Sequence, residues 1–377
     1  MRLTESGQES KPLSVCWQAL LLFFISVSIL SPHTEMRLLF LACLSPKTGN
    51  CTTAERIRNH IVAAGHTCVL CDTREFSSAS DVSSLMTQER VEAALAIHLF
   101  KGGRLLLDAG VPFGVVFGGT DVNEDVKDEH KRAVMEEVLR KARFVVAFTD
   151  ALKEQAQLLL ECENKKICVQ PQGIETKMAL HFCWSDFLHS TGVLTNQVEN
   201  LHVFLLVCGL RRVKDPLYLL EAFAEWHSQN PLVVLIIIGP VIDPVFTTEV
   251  EESVKRSVGV FLAADLSQEE LHSAMQKSFA LVNSSLSEGM SAAILEAMDL
   301  GLPVLARDIP GNAAIVEHKV TGLLYSSPQE FVSMSRKLLD DHELQERLVR
   351  NGKDYIRTCH NPGKERITYQ KLVETLR

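Results

Sequence analysis

The chain has 377 residues, of which 46% are hydrophobic and 23% are charged. This length suits about two domains, and the apolar content excludes disorder as the main state of the chain. The formal net charge of -9 argues against a nucleic-acid-binding protein, because such a protein needs a basic surface to neutralise phosphates. A local basic pocket for a small phosphorylated ligand is still compatible with this balance.

The first segment of note is an almost uncharged apolar run at residues 13–30. It is near the shortest length that spans a membrane and slightly long for the core of a signal peptide. The chain as written therefore favours membrane anchoring or secretion, with residues 1–35 as an N-terminal extension. The alternative is a cytoplasmic protein whose translation starts at Met36. Glycosylation motifs at Asn50 and Asn283 favour that alternative, because glycans there would obstruct the expected cleft.

Ten cysteines are too few for a disulfide scaffold in a chain of this length. The one close pair, Cys68 and Cys71, lies in a predicted strand, where its side chains point to opposite faces. We therefore interpret both as ordinary core thiols. No set of cysteines and histidines has the spacing of a metal site, and we expect no metal.

From Met36 onward, short apolar runs alternate with helical patterns, of which the clearest are at residues 52–65 and 129–142. Continuous apolar strands that alternate with helices are typical of a parallel sheet covered on both faces. The first series of predicted strands covers residues 36–44, 66–72, 92–100, 113–119, 142–149 and 166–173.

A polar stretch around residues 184–200 is predicted to be irregular, and it separates the first series from a second one. Two such series predict an α/β fold of two facing Rossmann-like domains, with a ligand cleft at the carboxyl ends of the strands. The second series covers residues 202–209, 232–239, 257–264, 279–285, 302–307 and 321–325.

The clearest chemical signal follows the predicted strand at 279–285. Glu288 precedes a helix that runs to Gly301, and Glu296 lies within that helix. The amides of residues 289–291 are at the helix N-terminus, which favours an anion, and a carboxylate is a good acceptor for sugar hydroxyls. Alternatively, Glu288 only caps the helix and Glu296 is solvated. The apolar neighbours of Glu296 favour a buried carboxylate that a ligand satisfies.

A second signal follows the predicted strand at 202–209. Gly209 ends this strand, and Arg211, Arg212 and Lys214 follow before a helix. A guanidinium fork and an ammonium group together suit a diphosphate. The alternative is a short basic loop that only precedes a helix, but the glutamate motif favours the diphosphate site.

Residues 285–325 resemble the Glu-x7-Glu motif of the retaining glycosyltransferases of family 4. The match includes the strand at 301–304, the turn at 310–312 and the strand at 321–323. The resemblance implies the GT-B fold, in which two Rossmann-like domains with parallel sheets face each other across a cleft. The implied domains are the acceptor domain at 36–195, the nucleotide-sugar-binding domain at 196–350 and a C-terminal helical segment at 351–377.

The resemblance also implies roles for the residues of both motifs. Glu288 would contact hydroxyls of the donor sugar, and Glu296 would bind the ribose of the nucleotide. Arg211 and Lys214 would bind the donor pyrophosphate, with Gly209 just before them. The other donor-binding candidates, at the helix start and in the following turn, are Gly289, Met290, Ser291, Gly311 and Asn312.

The acceptor side is expected in the first domain. There the family carries a glycine-rich loop near the acceptor, which corresponds to Gly49 and Asn50. His98, at the end of its predicted strand, is a further candidate, although a lone histidine at a strand end is more often structural.

The chain departs from the family pattern at one position. Similar transferases often read His-Gly-Thr-Asp after a buried strand, with the histidine near the reacting centre. This chain has Gly118 in place of the histidine, and the acceptor-side candidates Thr120 and Asp121 follow it. Because of this departure, an alternative function stays open, that of a nucleotide-sugar-binding protein with little turnover.

We therefore expect a glycosyltransferase that moves a hexosyl group from a nucleotide sugar to an unknown acceptor with retention, and Glu288, Arg211 and Lys214 are its catalytic candidates. The helix N-terminus and the basic pair can stabilise the departing diphosphate, so we expect neither a metal nor a cofactor. The family implies front-side attack, in which the leaving phosphate accepts the proton of the acceptor. Another alternative is a GT-B epimerase, which needs no acceptor. The expected partners are the donor, the acceptor and, through residues 13–30, a membrane.

Overall fold

The computed structural model describes residues 35–160, 166–195 and 197–377. The apolar segment at 13–30 lies outside the described residues. Within the described residues, no helix combines the length and the apolar character that crossing a membrane requires.

Six parallel strands form the sheet of the first lobe, with the bounds β1 Arg37–Ala42, β2 Thr67–Asp72, β3 Ala93–Ile97, β4 Phe113–Val116, β5 Phe144–Ala147 and β6 Ile167–Val169. Their order in the sheet is β2-β1-β3-β4-β5-β6. Every residue of β3, β4 and β5 is buried, because helices cover both faces of the sheet. The helices of this lobe are α1 Gly49–Val62, α2 Ala79–Gln88, α3 Gly119–Asn123, α4 Glu129–Lys141 and α5 Asp150–Leu159.

The second lobe repeats this construction with β7 His202–Val207, β8 Val233–Ile238, β9 Val260–Ala263, β10 Ala280–Asn283, β11 Val304–Arg307 and β12 Leu323–Tyr325. The sheet order is β12-β11-β10-β7-β8-β9, again all parallel. Both predicted sheets are confirmed, and each predicted strand segment contains a strand. The helices that follow in the chain are α6 Trp184–Thr191, α7 Leu220–Gln229, α8 Pro244–Arg256, α9 Gln268–Lys277, α10 Ala292–Leu300, α11 Pro310–Ala313 and α12 Pro328–Asp340.

The prediction of an irregular stretch at 184–200 is wrong for its first half, where helix α6 forms. This helix buries Phe187 and Leu188 and ends at Gly192, whose φ of 91° is left-handed. No side chain caps its start, so the usual signal for a helix N-terminus is missing from the sequence.

The last two helices, α13 His342–Cys359 and α14 Pro362–Glu374, lead from the second lobe back to the first. Helix α14 packs on α1. Its buried Tyr369 and Val373 belong to the same apolar cluster as Phe40 of β1. Helix α14 therefore completes the core of the first lobe.

A buried carboxylate fixes the start of α14. Glu365 is 0% exposed, and it accepts hydrogen bonds from Arg56 Nε at 2.8 Å and from His60 Nε2 at 2.9 Å. Arg56 also donates to the side chain of Gln172, which lines the interlobe cleft. The cluster therefore ties α14 to α1 and to a wall of the cleft.

Cys68 and Cys71 lie on β2 as predicted, and neither forms a disulfide. Burial raises the pKa of the Cys68 thiol to about 12. The thiol of Cys68 is therefore protonated at neutral pH, as expected of a structural residue.

Candidate active site

A cavity of about 430 Å³ opens where the carboxyl ends of the two sheets face each other. Turns that follow strands of both lobes line it, and its volume is in the range of small-molecule sites. Most of the predicted site residues lie on its walls, namely Gly49, Asn50, His98, Thr120, Gly209, Arg211, Lys214, Glu288, Gly289, Met290, Ser291 and Glu296.

The two lobes touch at a pair of glycines on the edge of this cavity. A Cβ atom on Gly289 would lie 2.7 Å from Cα of Gly119, which is closer than real Cβ atoms come to backbone. Next to this contact, Asn123 Nδ2 donates to the backbone oxygen of Glu288 at 3.4 Å. Glycine is therefore required on both sides for the lobes to approach this closely.

Lys214 and Glu288 form a tight ion pair on the second-lobe wall. Lys214 Nζ lies 2.6 Å from Glu288 Oε1 and 2.7 Å from Oε2. The side chains are only 17% and 8% exposed. Ser285 Oγ and Asn283 Nδ2 also donate to Glu288 Oε1, at 2.7 and 3.2 Å. Two groups that the sequence assigned to different parts of the donor thus meet at one point.

Burial by itself would raise the pKa of the Glu288 carboxyl. The Lys214 ammonium, together with hydrogen bonds from Ser285 and Asn283, outweighs burial and holds that pKa below its usual range. Glu288 is therefore ionised at neutral pH, and its charge fixes the ammonium of Lys214 in the cavity.

The two neighbouring arginines have different surroundings. Arg211 lines the cavity and forms no ion pair with another described residue. Arg212 points away from it, where its guanidinium pairs with Glu249 at 2.8 Å and lies 4.9 Å from the centre of the Phe246 ring. Of the two, Arg211 is thus the arginine that can reach a ligand in the cavity.

Helix α10 begins directly behind the ion pair, with Ser291 at its N-cap and Gly301 at its C-cap. Among the described residues, the backbone amides of residues 289–291 have no hydrogen-bond acceptor. Ser291 Oγ does not cap the helix and instead accepts from Asn283 Nδ2 at 3.4 Å. The helix start thus offers backbone donors to an anion.

Glu296 is buried on α10 and faces α9. Its side-chain oxygens lie 3.1 Å from Gln268 Nε2 and 3.7 Å from His272 Nε2. Burial would lower the pKa of His272, but the nearby Glu296 carboxylate outweighs burial and raises that pKa. Gln268 and Glu296 both line the cavity, so the carboxylate can be reached from it while Gln268 and His272 hold its position.

Three predicted site residues lie behind the cavity walls. Asp121 is 0% exposed and accepts from the amides of Leu99 and Gly118, both at 2.9 Å. Asn312 is also 0% exposed and donates to Asn283 Oδ1 at 2.9 Å. Asp121 and Asn312 therefore hold the loops of the site rather than face a ligand.

The third of these residues, Gly311, packs against the backbone of Glu288. A Cβ atom on Gly311 would come within 2.1 Å of the Glu288 carbonyl oxygen. Gly311 therefore permits the position of Glu288, and any other residue there would displace it.

The sequence did not indicate an ion pair that joins the lobes across the cavity mouth. Lys47 Nζ, from the turn after β1, lies 2.7 Å from Asp265 Oδ2, from the turn after β9. Both side chains are more than 40% exposed, at 43% and 44%. Such an exposed pair contributes at most about 1 kcal/mol. It can therefore open without a large cost when a ligand enters.

No cluster of three or more histidine, cysteine or acidic side chains suited to a metal ion occurs within residues 35–160, 166–195 and 197–377. Of the acidic residues that line the cavity, Glu288 and Asp265 are each paired with a lysine.

Known proteins are similar to this chain in sequence or in fold. A family model described as "Glycosyl transferases group 1" matches residues 195–355. The chain is 54% identical over 341 residues to "Glycosyltransferase 1 domain-containing protein 1" of Xenopus tropicalis, with 90% of this chain and 98% of the frog protein covered.

Two solved structures are similar in fold at low sequence identity. Anabaena HepE in complex with UDP and glucose has a TM-score of 0.74 and 17% identity over 90% of this chain and 100% of its own. Sucrose-phosphate synthase from Thermosynechococcus elongatus has a TM-score of 0.75 and 14% identity over 91% of this chain and 99% of its own. The two lobes and their cleft thus form the predicted GT-B fold of glycosyltransferases. The chain belongs to the group 1 glycosyltransferases, in the family of glycosyltransferase 1 domain-containing protein 1.

Proposed function

We propose that the chain transfers a hexosyl group from a nucleotide-sugar donor to an acceptor hydroxyl with retention of configuration and without a metal ion. The observation that carries this proposal is the Lys214–Glu288 ion pair at the start of α10, with Arg211 beside it in the same cavity. The complex of HepE with UDP and glucose supports a nucleotide-sugar donor, because HepE shares this fold.

The donor diphosphate binds at the start of α10 in this proposal. It accepts from the amides of residues 289–291 and from the guanidinium of Arg211. The Lys214 ammonium, already held in the cavity by Glu288, supplies a second positive charge. Together they stabilise the charge that develops on the departing diphosphate, which is the role a metal ion has in other transferases.

The two glutamates bind the two sugars of the donor. Glu288 has one oxygen bonded to Ser285 and Asn283, and its carboxylate accepts from hydroxyls of the transferred hexose. Glu296 accepts from the ribose hydroxyls, and Gln268 holds its carboxylate in place. The eight-residue offset between the glutamates along α10 and the turn before it separates the two sugar sites.

Transfer then needs no protein base. The bond between the anomeric carbon and the diphosphate oxygen breaks, the acceptor oxygen bonds to that carbon from the same face, and its proton passes to the leaving phosphate. The protein contributes positioning and charge stabilisation. Lys214 holds Glu288 by both carboxylate oxygens, which favours this route over a covalent intermediate on Glu288.

The direct test is a thermal-shift panel of UDP-, GDP-, ADP- and CDP-sugars, run with and without EDTA. A ligand that binds only the folded chain raises the melting temperature by mass action. We expect one nucleotide class to stabilise the chain equally in both conditions. Loss of the shift in EDTA contradicts metal independence, and no shift with any nucleotide sugar contradicts the donor assignment.

Gly118 at the family's histidine position favours a second candidate, a nucleotide-sugar-binding protein with little turnover. The nucleotide sugar that gives the largest shift separates the candidates when it is incubated alone and with alcohols. Transfer releases the nucleoside diphosphate, epimerisation changes the sugar without release, and a binding protein does neither.

Glu296→Ala is expected to weaken donor binding while the fold is retained. Loss of a charged hydrogen-bond partner of the ribose costs about 1.5–3 kcal/mol of affinity. Isothermal titration with the nucleoside diphosphate measures this loss, and Glu252→Ala, an exposed carboxylate on α8, is the matched control. Equal affinities of the two variants would show that Glu296 does not bind the donor.

Arg211→Ala is expected to weaken binding of the nucleoside diphosphate much more than binding of the nucleoside. The reason is that only the diphosphate meets the guanidinium in the cavity. Arg212→Ala, whose side chain pairs with Glu249 outside the cavity, should change neither affinity. The reverse result, with Arg212 more important than Arg211, would reassign the diphosphate contact.

A further inference from the structure

The space above Gly118 is filled by the imidazole of His98. A Cβ atom on Gly118 would lie 1.8 Å from Cε1 and 1.9 Å from Nδ1 of His98. No side chain fits at position 118 while the ring is there. Because β3 and β4 are neighbours in the sheet, the turns that follow them lie side by side, which brings the two residues together.

His98 has a backbone conformation that histidine rarely adopts. Its φ of 70° is left-handed, and this conformation is held by a hydrogen bond from its amide to Val116 O and from the Gly103 amide to its own carbonyl, both at 2.9 Å. Left-handed backbone at a residue other than glycine is unfavourable and is often found at functional sites. Glycine would adopt this backbone without strain, so the presence of histidine indicates that its imidazole is needed here.

Both ring nitrogens of His98 are engaged. Asn50 Nδ2 lies 3.1 Å from Nε2, and Thr120 Oγ1 lies 3.1 Å from Nδ1. The buried carboxylate of Asp121 is 3.7 Å from Nδ1 and favours a proton on that nitrogen. In this arrangement Nε2 accepts from the Asn50 amide, and the Nδ1 proton is donated to the Thr120 hydroxyl oxygen.

Asn50 and Thr120 both line the cavity, and their hydrogen bonds with His98 determine which of their polar atoms stay available to a ligand. Because Asn50 uses its NH₂ group on His98, its Oδ1, which accepts from no other described residue, is available as a hydrogen-bond acceptor. Because Thr120 accepts from His98, its own hydroxyl proton is available as a donor. One acceptor and one donor side by side match a hydroxyl group, which both donates and accepts.

We propose that His98 is a positioning residue that orients Asn50 and Thr120 to hold the acceptor hydroxyl, and that Gly118 is glycine because the His98 ring occupies its side-chain space. The proposal rests on the transferase function proposed above. In this proposal the glycine at position 118 leaves room for the His98 ring and does not indicate that a catalytic histidine has been lost. The imidazole is present at this point of the cavity, but it comes from the end of β3.

The test compares His98→Gly, Gly118→Ala and their double variant with the wild-type chain. Each is incubated with UDP-glucose in aqueous glycerol, where water and glycerol compete as acceptors. The ratio of glucosyl glycerol to free glucose is then measured. Thermal melting checks that His98→Gly stays folded, because relief of the left-handed strain offsets part of the stability that is lost with the buried ring. We expect the ratio to fall by about a hundredfold, because the acceptor hydroxyl is no longer held.

Gly118→Ala should lower the ratio similarly, because its Cβ displaces the ring. In the double variant the ring is absent, so the added methyl group should cost nothing beyond the loss caused by His98→Gly. His130→Ala, an exposed histidine on α4, is the control that should match the wild type. A His98→Gly ratio within about twofold of wild type, or additive losses in the double variant, overturns the proposal.

A second measurement needs no ligand and separates this proposal from the transferase function. Nitrogen-15 NMR of the histidine rings in the full chain should show His98 with its proton on Nδ1. A proton on Nε2 overturns the arrangement, whatever the enzyme transfers. If the NMR result holds but no sugar is released from UDP-, GDP-, ADP- or CDP-glucose, the proposed transferase function fails instead.

Discussion

Lys214→Met is expected to lower the rate of glycosyl transfer by about a hundredfold to a thousandfold, as when one preorganised charge-stabilising donor is removed from an active site. The ammonium of Lys214 lies 2.6 Å from Glu288 and faces the site proposed for the diphosphate. Methionine is unbranched like lysine and one atom shorter, so it keeps most of the side chain and removes the ammonium group. The measurement is release of the nucleoside diphosphate under saturating donor, with Lys255→Met on the surface of α8 as the control.

The same variant should also melt at a lower temperature, because Glu288 is then left buried and unpaired. Burial raises the pKa of this carboxyl once the opposing ammonium is gone. The double variant with Glu288→Gln removes the unpaired charge, so its stability should recover while its activity does not. Recovery of activity in the double variant would show that the pair is structural, and wild-type activity of Lys214→Met would exclude a catalytic role for the lysine.

Glu365→Ala is expected to destabilise the first lobe by about 3 kcal/mol, at the lower end of the cost of breaking a buried ion pair. The lower end applies because Arg56, which loses its partner, is 19% exposed and keeps some contact with water. The first unfolding transition in urea measures the loss. Glu346→Ala, an exposed carboxylate on α13, should change stability by less than about 0.5 kcal/mol.

The difference between wild type and Glu365→Ala should depend on pH. Burial would raise the pKa of Glu365, but His60 and Arg56 outweigh burial and lower it beneath the ordinary value of 4.5. A carboxylate with a lowered native pKa stabilises the fold fully above its ordinary pKa and loses that contribution as the pH falls through the native value. The difference should therefore be constant at neutral pH and shrink below pH 4.5. A difference that does not change with pH would show that packing, rather than charge, explains it.

The strands could be predicted because buried parallel strands appear as continuous apolar runs. Residues 232–239 illustrate this, since every residue of β8 within them is buried. Helix α6 could not be predicted in the same way. It is short, it buries only Phe187 and Leu188, and it lacks a capping side chain, so neither periodicity nor a cap distinguishes it from a loop.

The individual turns that line the candidate site could be predicted from the sequence, but which of these turns lie next to each other could not. Lys214 and Glu288 are 74 residues apart, and they meet because β7 and β10 are neighbours in the sheet. The pairing of His98 with Gly118 follows from the adjacency of β3 and β4. Strand order is decided by packing of the whole sheet, so local patterns show which turns carry chemistry but not which turns face each other.

The position of α14 has a consequence for the order in which the chain folds during synthesis. The ribosome makes this helix after both sheets, yet its Tyr369 and Val373 cover apolar residues of the first lobe, including Phe40. The second lobe, from β7 to α12, is continuous in sequence and can fold while the first still exposes this surface. The lobe that emerges first is thus completed last, and until α14 is made its uncovered apolar face is prone to aggregation.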